Sequence, residues 1–293
     1  MNPRCSVASE QRGEPLAGTA STVRHFLLME DPGPWGPEIL RSQRLPGPVR
    51  EPLLHWQRDY GVRPLLIRRP GRYLAGPRRV FVVNARHGWC QTGLVGSLAE
   101  VADLDLSGIA GGAGVGLAPH PDPVLLVCTH GRHDACCAER GRPLAAALAP
   151  RWPDLVWESS HLGGDRFAGN LLILPEAHSY GRLTPERAPQ VVADHLAGLV
   201  SLDHYRGHCT MPWPEQAAEH ALRSRLGLRA LDGVRVQRLR RDGTLFSVTL
   251  AAAGRTYRVD VRHGARPPEL LTCRSTQPSG AVAYELIALT RLN

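Results

Sequence analysis

Apolar positions in this chain fall into short runs bounded by turn residues, and their spacing alternates between strand and helix periods. The run FLLME after His25 predicts a buried strand, stopped by the turn cluster DPGPWG. A helix is predicted over Glu51–Tyr60, strands over Val62–Arg69 and Arg79–Ala85, and a helical segment over Leu94–Ala102. After residues 108–123, VLLVC (Val124–Cys128) predicts a fully apolar strand and Cys137–Ala149 a helix. Leu155–Trp157 predicts a further strand, and a turn of helix is expected near Arg166–Asn170. LLILP and SYGRL predict two strands across PEAH, and Thr184–Val200 a helix opened by Thr-Pro. A helix over Glu215–Leu226 and three alternating strands, VRVQRLRR, TLFSVTLAA and RTYRVDVRH, close the chain around Asp-Gly and Ala-Gly turns.

The predicted class is α/β. Residues 1–22 read as a flexible lead-in, 23–107 as an N-terminal α/β lobe, and the Gly/Pro-rich 108–123 as a linker. Residues 124–207 form a second lobe whose β-α-β-β-β-α order, with a loop before the last two strands, is that of a thioredoxin-like domain. Residues 208–293 form a small α+β segment. Both lobes end in the order β-β-α, which raises an internal duplication, the N-terminal lobe then being thioredoxin-like too. The glycines of the linker do not make a phosphate loop: no Lys-Ser/Thr follows them, and prolines stand where the helix should start.

Composition narrows the function classes. With 293 residues, 43% hydrophobic and 21% charged, the chain can bury a sizeable core. The net charge of +8 comes entirely from arginine, because the sequence has no lysine. The arginines are spread evenly and no aromatics alternate with them, so nucleic acid is not the expected partner; an acidic redox protein fits the charge as well. No apolar leader and no apolar run near the roughly 20 residues of a membrane span is present, and a cytoplasmic location is expected. Seven cysteines, an odd number, then suggest free, catalytic or metal-bound thiols rather than a disulfide framework.

The chemistry concentrates in two loops. CTHGRHDACC leaves the Val124–Cys128 strand and carries Cys128, Cys136 and Cys137, with His130, Arg132 and His133 between them. SHLGGDRF carries His161 and Asp165, separated by two glycines that permit a tight turn or a close approach. The bland reading leaves Cys128 and Cys137 in the core, Asp165 as a cap, and Arg132 and Arg166 on the surface. The sharper one places both thiolates on a metal.

At these residues the sequence resembles the sucrase/ferredoxin-like family. The resemblance is carried by CTHGRHDACCAERGRPLA, VWESSHLGGDRFAGNLLILP and YGRL, with EPLAGTA, PGPWG and LLIRRPGR earlier in the chain. It implies a thioredoxin-like ferredoxin domain and a 2Fe-2S cluster held by two cysteines spaced C-x8-C and two histidines spaced H-x3-H. Carried over, the cysteines are Cys128 and Cys137 and the first histidine is His161, but Asp165 stands where the second histidine belongs. Asp165, Cys136, His130 and His133 are therefore all candidates for the fourth position, with Arg132 and Arg166 as groups that bond the cluster sulfur or orient Asp165. The implied role is electron transfer with a reductase or acceptor protein, rather than catalysis on a substrate of its own. A cluster-free thiol oxidoreductase and a zinc-stabilised binding module compete with it. The sucrase half of the family name finds no support, since nothing frames two of Asp134, Glu158 and Asp165 as a facing pair.

Overall fold

The computed structural model describes residues 4–71 and 76–293. The first three residues of the expected lead-in and the last residue of LLIRRPGR, Arg72, lie outside them. The chain is mixed α/β, with one large mixed sheet and a second, antiparallel sheet.

The N-terminal lobe runs α1 (Cys5–Gln11), β1 (His25–Glu30), α2 (Gly47–Tyr60), β2 (Val62–Arg68), β3 (Arg78–Asn84), β4 (Trp89–Val95) and β5 (Ala118–Pro119). The second lobe runs β6 (Val124–Cys128), α3 (Ala135–Leu148), β7 (Val156–Ser159), β8 (Leu171–Leu174), β9 (His178–Tyr180), α4 (Ala188–Leu196) and β10 (Tyr205–His208). The C-terminal segment is α5 (Trp213–Leu226) followed by β11 (Val234–Asp242), β12 (Leu245–Ala252), β13 (Arg255–Ala265) and β14 (Val282–Arg291).

The two lobes share a single sheet of order β10-β9-β8-β6-β7-β2-β1-β3-β4-β5. In each lobe the first strand pairs in parallel with the second and antiparallel with the third. The lobes meet where β2 pairs antiparallel with β7, Ile67 opposite Ser159 and Arg68 opposite Glu158. The strand order is thus repeated outward from this junction, which gives the suspected duplication a topological form. Residues 108–123 do not act as a free linker: Ile109 is buried, its carbonyl accepts from Asn84 Nδ2 at 2.7 Å, and β5 pairs with β4.

Alternation along the strands divides the core. On one face Phe26, Leu28, Leu65, Ile67, Leu126, Cys128 and Trp157 build a core common to both lobes, and Phe81 of β3 meets Trp157 of β7 edge to face at 5.6 Å although two strands separate them. On the other face Leu27, Met29 and Val82 pack under α2 in the first lobe, and Leu125, Val127 and Ile173 under α3 and α4 in the second. Helix α5 covers one face of the antiparallel sheet through Ala218 and Leu222.

Three local expectations change. The lead-in is not loose: α1 buries Cys5, Ser6 and Ser9 against the second lobe. The helix expected over Leu94–Ala102 is the end of β4 and a short 3-10 turn, Leu98–Asp103, started by a Ser97–Glu100 capping box. The last strand, β14, has no clean alternation and was not foreseen. No helix among the described residues is long and apolar enough to cross a membrane.

A buried histidine group in the second lobe makes stability pH-dependent. His178 and His208 lie 4.9 Å apart, ring to ring, and His208 Nδ1 accepts from the Thr210 amide at 3.2 Å. Burial, with Arg223 nearby, lowers His208 to about 4, and burial with His208 beside it pushes His178 well below its ordinary value. Because the folded pKa lies below the unfolded one, near 6.5, the unfolded chain binds the proton first as pH falls. The contribution is complete above pH 6.5 and is lost as pH falls toward 4, by on the order of 2–3 kcal/mol for His208. Chemical denaturation at pH 7 and pH 4.5 should show this loss, and His208→Asn should flatten it; an unchanged slope would count against the assignment.

Candidate metal centre

Strand β6 ends at Cys128, and α3 begins after the N-cap Asp134, whose Oδ1 accepts from the Cys136 amide at 2.9 Å. Helix and strand approach closely because position 141 of α3 is glycine: a Cβ there would lie 1.9 Å from the Cys128 carbonyl oxygen. That approach brings Cys137, on the first turn of α3, onto the end of β6. The second loop leaves β7 and turns through Gly163 (φ +96°) and Gly164 (φ +77°) into the short 3-10 turn Asp165–Phe167. A side chain at Gly163 would meet Ser21 Oγ at 2.2 Å, and one at Gly164 would meet Arg206 Nη2 at 2.4 Å. Both glycines are required by backbone angle and by space.

The loops converge. Ligand atoms of Cys128, Cys137 and His161 lie within 4.8 Å of one another, as do those of His133, His161 and Asp165. Asp165 joins the two groups, its Oδ1 being 3.1 Å from Cys137 Sγ and 2.9 Å from His161 Nδ1. The second contact is close without the alignment of a hydrogen bond, so His161 Nδ1 is a buried nitrogen with no hydrogen-bond partner. Buried ring nitrogens are normally bonded, and one left bare beside two thiols and a carboxylate suits a metal ligand.

Electrostatics keep two of the donors, Cys128 and Asp165, in ligating form and hold on Cys137 and His161 protons that a metal would displace. The neighbouring Cys137 and, after it, His161 keep the Cys128 sulfur well below its ordinary pKa against the effect of burial. Cys137 is correspondingly pushed up, first by that same interaction and then by burial. Burial alone would lower His161, but Asp165 and Cys128 outweigh it and raise the imidazole to about 9. Burial would likewise raise Asp165, and His161 overcomes it.

Two arginines, the buried Arg206 and the half-buried Arg63, neither visible as a site residue in the sequence, brace the second loop. Arg206 donates to Gly163 O at 2.9 Å, Asn170 Oδ1 at 2.8 Å and Thr19 Oγ1 at 3.1 Å. Arg63 of β2 donates to His161 O at 2.7 Å. Neither makes an ion pair within 4 Å among the described residues; burial lowers both, and Cys128, whose sulfur is held low, acts against it. Thr19 belongs to EPLAGTA, whose Glu14 accepts from Arg166 Nε at 2.6 Å. Gly36 of PGPWG accepts from His130 Nε2 at 2.7 Å, and Trp35 meets the His130 ring edge to face at 5.7 Å. The early motifs therefore frame the same site.

The remaining candidates are sorted by these contacts. His130 spends both nitrogens, on Gly36 O and on the His161 amide at 3.2 Å, and is a positioning residue rather than a ligand. His133 stacks on His161 at 3.8 Å with Nε2 3.8 Å from Asp165 Oδ2, beside the donor group. Cys136 is turned away, toward Cys5 and Cys273. Arg132 is exposed, and Arg166 points to Glu14 and the Phe167 ring rather than to Asp165. The acids considered for glycoside chemistry are engaged separately: Asp134 caps α3, Glu158 is bound by Arg68 and Thr129, and Asp165 by His161.

A cleft of about 190 Å³, lined among others by Arg63, His130, His133 and His161, opens on the imidazole side of this group. No curated protein and no solved structure matches the chain. The model of the sucrase/ferredoxin-like family does, over residues 16–207, which contain every donor of this centre. The chain belongs to the sucrase/ferredoxin-like family.

Proposed function

We propose that the chain holds a 2Fe-2S cluster on Cys128, Cys137, His161 and Asp165 and works as an electron-transfer protein. The observation that carries this reading is the convergence of two cysteine sulfurs, an unbonded imidazole nitrogen and a buried carboxylate from the ends of β6, α3 and β7. Two irons with bridging sulfides need four protein donors, and this is a set of four. When bound, such a cluster supplies one-electron exchange. The chain's own residues do the rest: Arg63 and Arg206 fix the His161 loop and offset thiolate charge, and burial keeps water from the sulfurs.

The order β7-β6-β8-β9, with β8 antiparallel to β6, supports a thioredoxin-like ferredoxin domain. The net charge of +8 and the cleft beside His133 and His161 favour an acidic redox protein docking on the imidazole side. Carboxylate is a harder and more negative ligand than imidazole, so the potential should lie below that of a cluster with two histidines.

Anaerobic purification should give two irons and two acid-labile sulfides per chain, with a visible absorption band and an EPR signal on reduction. Zinc in the centre in place of iron, and a colourless protein after reconstitution, would replace this reading by a zinc-stabilised module with the same four ligands. Asp165→His should keep the cluster and raise its potential; an unchanged potential would remove Asp165 from the ligand set and leave His133 as the candidate.

A further inference from the structure

Three cysteines that the first centre does not use meet on the other side of the first turn of α3. Cys136 precedes Cys137 by one residue, and a helix turns about 100° per residue, so its sulfur faces away from Cys128. There Cys136 Sγ lies 3.6 Å from Cys5 Sγ of α1 and 3.3 Å from Cys273 Sγ, and Cys273 lies 3.5 Å from Cys5. Asp134 closes the group, with both carboxylate oxygens 3.8 Å from Cys5 Sγ. The four ligand atoms fall within 4.8 Å of one another.

We propose that Cys5, Cys136, Cys273 and Asp134 form a second metal site, which takes zinc. A tetrahedral zinc ion at about 2.3 Å from each thiolate holds the sulfurs roughly 3.8 Å apart, so the observed triangle need open by only a few tenths of an ångström. Thiols are weak hydrogen-bond partners, and three packed together with two of them buried satisfy one another poorly. None of the three pairs is at disulfide distance, and any disulfide would leave the third sulfur unused. Asp134 already accepts from the Cys136 amide at 2.9 Å through Oδ1 and from the Cys273 amide at 2.7 Å through Oδ2, yet each oxygen keeps a lone pair for a metal. Ser6 Oγ adds a donor to Cys136 Sγ at 3.3 Å.

A pocket of about 240 Å³, lined among others by Arg4, Cys5, Arg12, Glu269 and Cys273, leads to the group from solvent. Cys5 and Cys273 both lie outside the residues matched to the family. The site ties the N-terminal helix and the C-terminal segment to the first turn of α3, whose next residue is Cys137.

The test is metal content and cobalt substitution on the full-length chain. Wild type should contain one zinc per chain beside its iron. Cobalt(II) added after zinc removal should give the thiolate charge-transfer and red d–d bands of a tetrahedral site rich in sulfur. Cys5→Ser and Cys273→Ser, which alter opposite ends of the chain, should each lose the zinc and weaken those bands, while iron and sulfide per chain stay at the wild-type level. Circular dichroism of both variants separates site loss from misfolding. Absence of zinc and of cobalt bands in wild type, a Cys5–Cys273 or Cys136–Cys273 disulfide by mass spectrometry, or cobalt bands unchanged in both variants would each overturn the site. Iron lost together with zinc from both variants would show one shared centre instead of two and would overturn it as well.

Discussion

Cys137→Ser is expected to yield a chain without visible absorption and with iron reduced by more than about tenfold, since even groups that only support a ligand cost 10–100-fold in metal affinity. Cys136→Ser, one residue earlier, is expected to keep the colour and the iron and to lose the zinc. The two thiols differ little in chemistry and almost not at all in sequence position. What separates them is the direction of the side chain on the first turn of α3, toward Cys128 and Asp165 for one and toward Cys5 and Cys273 for the other. Iron, zinc and absorption measured on both variants check this directly. Loss of iron from both, or from neither, would break the division of the cysteines into two centres.

Gly141→Ala is expected to destabilise the chain by about 2 kcal/mol and to weaken iron binding as well. Helix propensity alone favours alanine by about 1 kcal/mol at an interior position. Against it stands a Cβ placed 1.9 Å from the Cys128 carbonyl oxygen and 2.9 Å from its carbon, backbone atoms that cannot swing aside. Overpacking of this kind costs about 1–3 kcal/mol or more, and relieving it means drawing α3 away from β6. Because Cys137 rides on α3 and Cys128 ends β6, the same movement separates two ligands. The melting temperature should fall by roughly 5 °C and the iron per chain should drop with it. Gly47→Ala in α2, where no atom beyond its chain neighbours and its own helix lies within 4 Å of the new Cβ, should leave iron binding unchanged. If Gly141→Ala behaves like Gly47→Ala, the close helix–strand approach is not what sets the site.

Most of the strands and helices could be read from local pattern, and the reason is physical. A strand buried on both faces, such as Val124–Cys128, needs an unbroken apolar run, and a helix such as Trp213–Leu226 needs its own period and ends on a glycine. The two site loops were legible for the same reason: Cys128, Cys137, His161 and Asp165 each sit within a few residues of a strand or helix end, where short polar loops carry ligands. The elements that escaped were those whose patterns are weak, β4, β5, β10 and β14, and the helix α1, whose burial depends on contacts with residues far along the chain.

The sequence by itself therefore determined which residues could carry chemistry, because side-chain type and loop position are local properties. Only the tertiary structure decided which of them act together. Pairing of β2 with β7 made one sheet of two lobes and brought Arg63 against the carbonyl of His161, 98 residues away. Burial without an ion pair gave Arg206 its part in holding the loop, a role no neighbour in sequence announces. Cys5 and Cys273 meet across 268 positions of chain, and Cys136 joins them rather than the cysteine beside it. Local periodicity sets which way a side chain points from its own helix or strand; what waits there is fixed by how those elements pack.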